Sequence, residues 1–348
     1  MSMQIEVDGS FIGPGSPVYV IAEIGTNFHS LAEAKKLFEA AADAGADAVK
    51  LQTYRAETVA MPGAMFTLEN GTRISQYDYF KEHEVSKEDH VVLCEYALDL
   101  GITFFSTPGY YDDVDMLESL AVPLYKTGSD DLTNYPFLEY IARCNKPMIV
   151  STGMCTLGEV ERAVETITKT GNDQLILLHC VVGYPAPIEQ ANLKAIETLR
   201  SAFDKLVGLS DHFIGPTAAV MGVAMGITVV EKHLTLDRSA GGPDNDVACE
   251  PGEFKEYVRE IRKASTALGN STKSLLPTEE KWRKAARKSI VAACDIPAGQ
   301  TIEREMLTIK RPSNGLHPGE LDRIIGVKTN QAISAGKVLC LSDFNWCD

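Results

Sequence analysis

The sequence of 348 residues lacks several features that would decide the class of protein. No apolar run reaches the ~18 residues that a membrane span needs, and the N-terminus lacks the basic start and apolar core of a secretion signal. A basic excess is also missing, because the formal net charge is −15, whereas a protein that binds nucleic acid usually presents a basic face. These absences favour a cytoplasmic protein that binds neither a membrane nor nucleic acid.

Two motif classes are missing as well. The eight cysteines are scattered and none forms a C-x-x-C pair, so we expect reduced thiols rather than a disulfide framework or a zinc site. No G-x-G-x-x-G motif opens a helix, so a dinucleotide-binding fold has no support. The remaining composition, 45% hydrophobic and 7% aromatic, is typical of a globular protein, and the length allows more than one domain.

What the sequence does contain is a repeated alternation of short apolar strands and amphipathic helices over residues 18–268. The helix predicted at Leu31–Ala44, which is followed by a glycine, is typical of this pattern. Eight strand–helix units can be counted, which favours an α/β fold of the closed (β/α)8 TIM-barrel type over an open doubly wound sheet. A strand at 3–7 with a turn at 13–15 is interpreted as a β hairpin that plugs the barrel, and residues 55–84 as an irregular insert.

After the last predicted helix, the sequence pattern changes from strand–helix units to short strands and tight turns. Segments 295–302 and 332–339 resemble each other, each with an Ala-Gly pair at a bend between apolar residues. Such an internal echo indicates a compact β-rich module with two similar halves. We therefore predict a barrel domain with its N-terminal hairpin at 1–278, a linker at 279–287 and a β-rich module at 288–348.

Polar and ionisable side chains stand at the C-terminal end of every predicted barrel strand. Because barrel enzymes take their catalytic groups from these ends, this rim is the predicted active site. In chain order the residues are Glu23 and Asn27; Lys50 and Gln52; Ser106 and Thr107; Lys126, Ser129 and Asp131; Ser151 and Thr152; His179 and Tyr184; Ser210, Asp211 and His212; Glu231, Lys232 and His233; and finally Asp244.

His212 and His233 follow neighbouring predicted strands. Two neutral imidazoles can hold one divalent metal and leave positions open for water and a substrate oxygen. The competing interpretation, in which each histidine completes a hydrogen bond in the core, is the usual one for an isolated histidine. The pair, flanked by Ser210, Asp211 and Lys232, favours the metal.

The same rim combines lysines with short hydroxyl side chains, which suits a phosphate or a carboxylate. Local lysines can override the acidic net charge within about one Debye length. The carboxylates of Glu23, Asp131, Asp211 and Glu231 are then candidates for proton transfer or for binding hydroxyl groups. A phosphorylated anion beside a carbonyl polarised by metal suits formation of a carbon–carbon bond from an enol phosphate.

A series of short motifs follows the same strand ends: AEIG at 22–25, KLQT at 50–53, STP at 106–108, KTGS at 126–129, STGM at 151–154, HC at 179–180, YP at 184–185, GLSDH at 208–212, EKH at 231–233 and GPD at 242–244. In this order they resemble the sialic acid synthase family, which condenses phosphoenolpyruvate with an N-acetylmannosamine-like sugar. The segment KRPSNG at 310–315 resembles the family's C-terminal SAF domain, which is similar to type III antifreeze protein. The resemblance covers nearly the whole chain and implies a TIM barrel followed by an SAF domain.

The resemblance also implies a role for individual residues. The positions that hold phosphoenolpyruvate correspond to Lys50, Thr107, Lys126, Ser129, Ser151 and Ser210. The ligands of a divalent metal, usually Mn²⁺ with Mg²⁺ or Co²⁺ as alternatives, correspond to His212 and His233. The positions around the sugar and the reacting carbons correspond to Glu23, Gln52, Asp131, Tyr184 and Asp244. With Glu231 added from the carboxylates of the rim, the candidates for a catalytic role are Glu23, Lys50, Asp131 and Glu231.

Arg311 resembles the arginine that reaches from the neighbouring subunit's small module to the acyl group of the sugar, which implies a domain-swapped homodimer. Two motifs depart from the family. Asp131 replaces a common glutamate, and Val182 stands where a hydrogen-bonding residue often precedes Tyr-Pro. Both departures leave open whether the sugar is N-acetylmannosamine, its 6-phosphate or a diacetamido hexose leading to legionaminic or pseudaminic acid. A spore-coat polysaccharide enzyme acting on another hexose is a further alternative.

Two more distant alternatives remain. A class I aldolase would form a Schiff base at Lys50, Lys126 or Lys232, and it would be trapped by borohydride and indifferent to chelators. The C-terminal module could bind ice or carbohydrate on its own, although likeness to an antifreeze protein concerns the fold alone.

Overall fold

A computed structural model describes residues 4–67, 71–240 and 244–346. The chain separates into two compact units, 1–269 and 270–348. The finer division at 278 and 287 stays a prediction; the residues assigned to the linker include a short helix, Glu280–Ala286. Within the described ranges, no helix has the length and apolarity required to cross a bilayer.

The first unit is a closed barrel of eight parallel strands, which confirms the predicted TIM barrel. The strands are β1 Tyr19–Gly25, β2 Ala48–Thr53, β3 Thr103–Pro108, β4 Tyr125–Thr127, β5 Met148–Ser151, β6 Leu175–Cys180, β7 Leu206–Asp211 and β8 Val229–His233. Each strand pairs with the next one along the chain, and β8 closes on β1 with His233 opposite Glu23. The sheet therefore has no open edge.

Eight helices alternate with these strands. They are α1 Leu31–Ala44, α2 Lys87–Leu100, α3 Tyr111–Ser119, α4 Tyr135–Ala142, α5 Leu157–Thr168, α6 Ala195–Phe203, α7 Thr217–Ala224 and α8 Pro251–Leu268. The Ser30 and Ser86 hydroxyls accept hydrogen bonds from the first turns of α1 and α2. Gly45, with a φ of 82°, ends α1 in the left-handed conformation that favours glycine.

The strands alternate between two apolar layers. On β1, Val20 and Ala22 face outward into the core shared with the helices, whereas Tyr19 and Ile21 face the barrel interior. Further along each strand the inward-facing positions become polar, as at Glu23 on β1 and Lys50 on β2. The fold thus gathers these polar groups at the C-terminal end of the barrel, above an apolar filling.

A hairpin of Ile5–Val7 and Ser10–Ile12 packs against the interior layer of the barrel. The predicted turn at 13–15 is present, since the Ser16 amide donates to the Gly13 carbonyl at 3.1 Å, but it follows the hairpin and does not form it. The hairpin itself turns at Asp8-Gly9, and Met3, where the predicted strand begins, lies outside the described residues. Asp8 and Gly9 both have positive φ, of 50° and 78°, which matches the right-handed twist of a two-residue hairpin.

The insert after β2 is more regular than the sequence predicts. It contains helices Ala56–Val59 and Gln76–Glu82 and paired strands Met65–Thr67 and Arg73–Ser75. The Phe80 ring lies 4.9 Å from Tyr54 and 5.7 Å from Phe66, in edge-to-face contacts. Tyr79 joins the insert to the loop after β1 through a 3.0 Å hydrogen bond to Thr26. Aromatic contacts between distant residues order this segment, and no periodic pattern reveals them.

The second unit is built from short antiparallel pairs around its own apolar core. Ser289–Ala292 pairs with Leu307–Lys310, and Lys328–Thr329 pairs with Phe344–Asn345. A short helix lies at Leu321–Ile324. Ile296 and Ile333, one from each of the two similar segments, form an antiparallel bridge and share the core. The internal echo in the sequence therefore corresponds to two segments that pack against each other.

Candidate active site

A cavity of about 510 Å³ opens among the C-terminal ends of the barrel strands. It brings together nearly all the residues assigned to the site from the sequence. These are Glu23, Lys50, Gln52, Thr107, Lys126, Ser129, Asp131, Ser151, Tyr184, Ser210, His212, Glu231, His233 and Asp244. Arg311 lies exposed in the second unit, so its assigned role stays a prediction.

The first polar group of the cavity is arranged around Lys50. Its buried ammonium forms an ion pair with Glu23 and donates a 2.7 Å hydrogen bond to the Thr107 hydroxyl. The Gln52 amide donates to Glu23 at 3.4 Å and to Asp244 at 3.3 Å. Burial raises the pKa of Glu23, against the attraction of Lys50. Glu23 is therefore a carboxyl that can hold a proton near neutral pH.

Lys126 centres the second polar group. Its ammonium donates to the Ser151 hydroxyl at 2.8 Å and lies 3.4 Å from Glu231 Oε1, which also accepts a 2.9 Å hydrogen bond from Ser210. Burial alone would raise the pKa of Glu231, but attraction to Lys126 and then Lys50 outweighs it, and the pKa is lowered. Glu231 is thus a carboxylate held charged between two buried cations.

His212 and His233 form the third group, with ring centroids 5.4 Å apart. His212 Nδ1 lies 3.0 Å from the Val181 carbonyl, so Nδ1 carries the proton and the other ring nitrogen keeps its lone pair. His233 Nδ1 is buried without a hydrogen-bond partner in the described part of the chain. Burial lowers the pKa of His212 to about 4 and that of His233 to about 3. Both rings are therefore neutral at physiological pH.

This donor set fits a divalent cation. Neutral imidazole nitrogens bind divalent transition metals such as Zn²⁺ or Ni²⁺, and Mn²⁺ would depend further on oxygen ligands from water and substrate. An unpartnered buried nitrogen is costly unless something binds it. Among residues 4–67, 71–240 and 244–346, no three His, Cys, Asp or Glu side chains are grouped as metal ligands. The pair would hold the ion by two protein ligands and leave the other positions to substrate and water.

Several polar residues at the strand ends lie outside the cavity. Asp211 and Lys232, which the sequence places beside the histidines, face away from it toward α8. His179 Nε2 lies 2.8 Å from the Ala191 carbonyl, and Asn27 donates to the Leu234 carbonyl at 3.1 Å. Asp211, Lys232 and His179 each lie one position away from a residue that faces the cavity, and the period-two alternation of side chains separates these three from the site. Asn27 lies just beyond the end of β1.

The cavity also has an apolar wall, most of which the sequence does not indicate; Cys180 and Val182 are the exceptions. Its members come from the end of β2, the aromatic insert, the end of β6 and the loops after β3, β5 and β6: Tyr54, Val59, Phe66, Tyr79, Phe80, Tyr110, Met154, Cys180 and Val182. Most lie in segments without periodicity, so no local pattern marks them. Of the GPD motif, Gly242 and Pro243 lie outside the described residues, and Asp244 lines the cavity.

A model of the NeuB family matches residues 37–273 of this chain, well over half of its length. The chain belongs to the NeuB family. A model of the SAF domain matches residues 287–345, in the second unit. Both matches confirm the resemblance found in the motifs.

Individual proteins also match along most of the chain. The N,N'-diacetyllegionaminic acid synthase of Legionella pneumophila is 40% identical over 336 residues, which cover 94% of each protein. The pseudaminic acid synthase of Campylobacter jejuni (strain 81-176) is 36% identical, covering 94% of this chain and 96% of the relative. The crystal structure of N-acetylneuraminic acid synthetase from Leptospira borgpetersenii superposes with a TM-score of 0.73 at 33% identity, over 81% of this chain and 95% of that one.

Proposed function

We propose that this protein condenses phosphoenolpyruvate with an N-acylated amino sugar, giving a nonulosonic acid and phosphate. The observation that carries the proposal is one cavity that holds two buried lysines with hydroxyl partners and a pair of neutral histidines. Similarity to nonulosonate synthases over nearly the full chain supports it. The chemistry is that of a transferase that forms a carbon–carbon bond.

The lysine side of the cavity suits the phosphate and carboxylate of phosphoenolpyruvate. Lys50 and Lys126 already donate to Thr107 and Ser151, and these hydroxyls can turn to donate to a bound anion. Ser129 and Ser210 line the same cavity. Cations fixed before the substrate arrives stabilise negative charge without reorganisation during the reaction.

The part of the cavity around the histidines suits the sugar. His212 and His233 would hold the divalent ion, which we propose to be Mn²⁺; when bound, it supplies Lewis-acid polarisation of the sugar's C1 carbonyl. C3 of the enol then forms a bond to C1 as the π bond of the C1 carbonyl opens, and water adds at C2. The C2–O bond to phosphate breaks, phosphate leaves, and the C2 hydroxyl loses its proton to become the ketone. Glu23, with its raised pKa, is suited to deliver a proton to the new C1 oxygen. Gln52, Asp131 and Asp244, which line the same cavity, would bind sugar hydroxyls.

We further propose a homodimer in the cytoplasm, in which Arg311 of one subunit binds the acyl group of the sugar in the other subunit. Support comes from the exposure of Arg311 and from the lack of any arginine among the described residues that line the cavity. The planar guanidinium of an arginine can donate hydrogen bonds to an amide carbonyl.

Phosphate release tests the proposed reaction. With phosphoenolpyruvate and Mn²⁺ present, we expect release only when an acylamino sugar is added, and we expect a chelator to abolish it. A panel of N-acetylmannosamine, its 6-phosphate and diacetamido hexoses identifies the sugar. Borohydride should trap no covalent adduct; a trapped lysine adduct together with indifference to chelators would establish the aldolase alternative instead.

Gly153→Ala is expected to weaken phosphoenolpyruvate binding. The Gly153 amide donates to Ser129 Oγ at 3.1 Å, and a Cβ here would lie 2.7 Å from that oxygen and 2.7 Å from Val182. Ser129 must shift, and losing a hydrogen bond to a charged group costs about 1.5–3 kcal/mol, or about 10- to 100-fold in KM. Gly158→Ala is the matched control, since a Cβ there meets nothing within 4 Å. Equal KM values in both variants would remove Ser129 from the anion site.

A further inference from the structure

Behind the cavity, a buried ammonium group joins the two strands that lead to the histidines. Lys232, on β8, is 1% exposed and points away from the cavity. Its Nζ donates to the Phe213 carbonyl and lies 3.5 Å from Asp211 Oδ1. His212 is the residue between Asp211 and Phe213, and His233 directly follows Lys232. One cation therefore ties together the backbones on which both imidazoles are mounted.

Asp211 continues this network to α8. Its Oδ1 accepts a 2.9 Å hydrogen bond from the Phe213 amide, and its Oδ2 accepts a 2.5 Å hydrogen bond from the Tyr257 hydroxyl. Asp211 is fully buried and Tyr257 is 2% exposed. The chain on both sides of His212 is thus held by side chains that never reach the cavity.

Stability alone does not account for this arrangement. Desolvating a lysine and an aspartate is expensive, and apolar residues of similar volume often serve a core equally well or better. Here the charged groups hold a segment of three consecutive residues, 211–213, with His212 at its centre. The cation that holds it belongs to Lys232, the residue before His233. Groups that hydrogen-bond to metal-binding histidines orient their rings, and losing them typically weakens metal affinity about 10- to 100-fold; groups that act on the backbone without touching the ring should reach only the lower end of that range.

We propose that Lys232, Asp211 and Tyr257 are positioning residues that fix the separation and tilt of the His212 and His233 rings, and thereby set the affinity of the pair for a divalent cation. The inference rests on the metal assignment made in the proposed function. The three residues touch neither substrate nor cation. Their effect passes through the backbone.

The test is a Mn²⁺ titration followed by electron paramagnetic resonance, on full-length protein without substrates. Tyr257→Phe removes one hydrogen bond, and the double variant Lys232→Met, Asp211→Asn removes the charges together while keeping an oxygen for the Phe213 amide. We expect both to bind Mn²⁺ about 10-fold more weakly, the lower end of the range for groups bonded directly to a metal-binding histidine. Excess Mn²⁺ should restore phosphate release in Tyr257→Phe, because the catalytic groups themselves are intact.

Arg262→Met is the matched control. Arg262 lies on the same helix as Tyr257 and, at the other end of the barrel, donates to Asp47 at 2.7 Å and to the Val18 carbonyl. We expect a lower melting temperature, measured without metal, and an unchanged Mn²⁺ affinity. A comparable loss of affinity in Arg262→Met would overturn the proposal, since general loosening of the barrel would explain both.

Wild-type Mn²⁺ affinity in a folded Tyr257→Phe variant would also overturn it, whether or not the double variant folds. Should wild type bind no Mn²⁺, or should His233→Ala bind it equally well, the inference fails together with the metal assignment. Phosphate release with sugar and phosphoenolpyruvate then still decides whether the condensation occurs. Failure of the inference is therefore distinguishable from failure of the proposed reaction.

Discussion

His233→Ala is expected to abolish metal-dependent turnover. His233 is buried, its Nδ1 has no hydrogen-bond partner in the described chain, and its ring lies 5.4 Å from that of His212. Removing one of two protein ligands should cost more than the about 100-fold in metal affinity that losing an outer partner costs. We expect Mn²⁺ binding below detection in a resonance titration, and no phosphate release above background even at millimolar Mn²⁺.

A second histidine provides the control for this variant. His29 is an exposed residue of the loop after β1 and does not line the cavity. His29→Ala should keep the wild-type Mn²⁺ affinity and phosphate release. Normal turnover of His233→Ala in the presence of a chelator would contradict the metal assignment and return the Schiff-base alternative to consideration.

The sequence was sufficient for the barrel and for most of the cavity because both follow from local rules. In β7 the apolar run ends at Ser210. In β8 it ends at Glu231, and His233 is the last residue of the strand. In a closed parallel barrel such ends must meet on one rim, whatever the details of packing. The register of β8 against β1, with His233 opposite Glu23, only sharpens that expectation.

What the sequence could not supply depends on contacts between distant residues. Asp211 and Lys232 look as catalytic as Ser210 and Glu231 until α8 brings Tyr257 to them from 46 residues away. The aromatic insert behaves likewise, since Phe80 finds Tyr54 only once the chain has folded back. A polar residue at the end of a strand is predicted to lie on the rim of the barrel. Whether its side chain faces the cavity depends on its position in the alternation and on the residues that pack against it.

For the proposed metal ligands too, the sequence supplies one part of the prediction and the folded structure supplies the other. Two histidines at neighbouring strand ends suggest a ligand pair, but their neutrality is a property of the folded protein. Burial lowers the pKa of both rings, and the Val181 carbonyl fixes the proton of His212 on Nδ1. An exposed histidine titrates near neutral pH and loses metal as it gains a proton. Burial therefore extends the pH range over which the pair can bind a cation.

Lys126→Met is the second variant for which we expect a large effect. Its ammonium is 3% exposed and contacts Ser151 and Glu231 inside the cavity, where charge–charge interactions are little screened. Removing a preorganised charge of this kind typically lowers turnover about 10²- to 10³-fold. We expect at least that loss in kcat/KM for phosphoenolpyruvate, measured as phosphate release at saturating sugar and Mn²⁺.

The Lys126→Met variant also leaves Glu231 without the neighbour that most lowers its pKa, so part of the effect could come from an unpaired buried carboxylate. Lys126→Met combined with Glu231→Gln, measured beside Glu231→Gln alone, separates the two causes, because Glu231 is itself a candidate catalytic residue. The double variant should recover thermal stability but not kcat/KM, because the lost anion site is not restored. Lys146→Met controls for removal of a lysine: Lys146 pairs with Glu118 in a partly exposed ion pair, and such pairs contribute about 0–1 kcal/mol. Recovery of kcat/KM in the double variant would show that Lys126 serves only to balance Glu231, and phosphoenolpyruvate would then have to be bound by Lys50 alone.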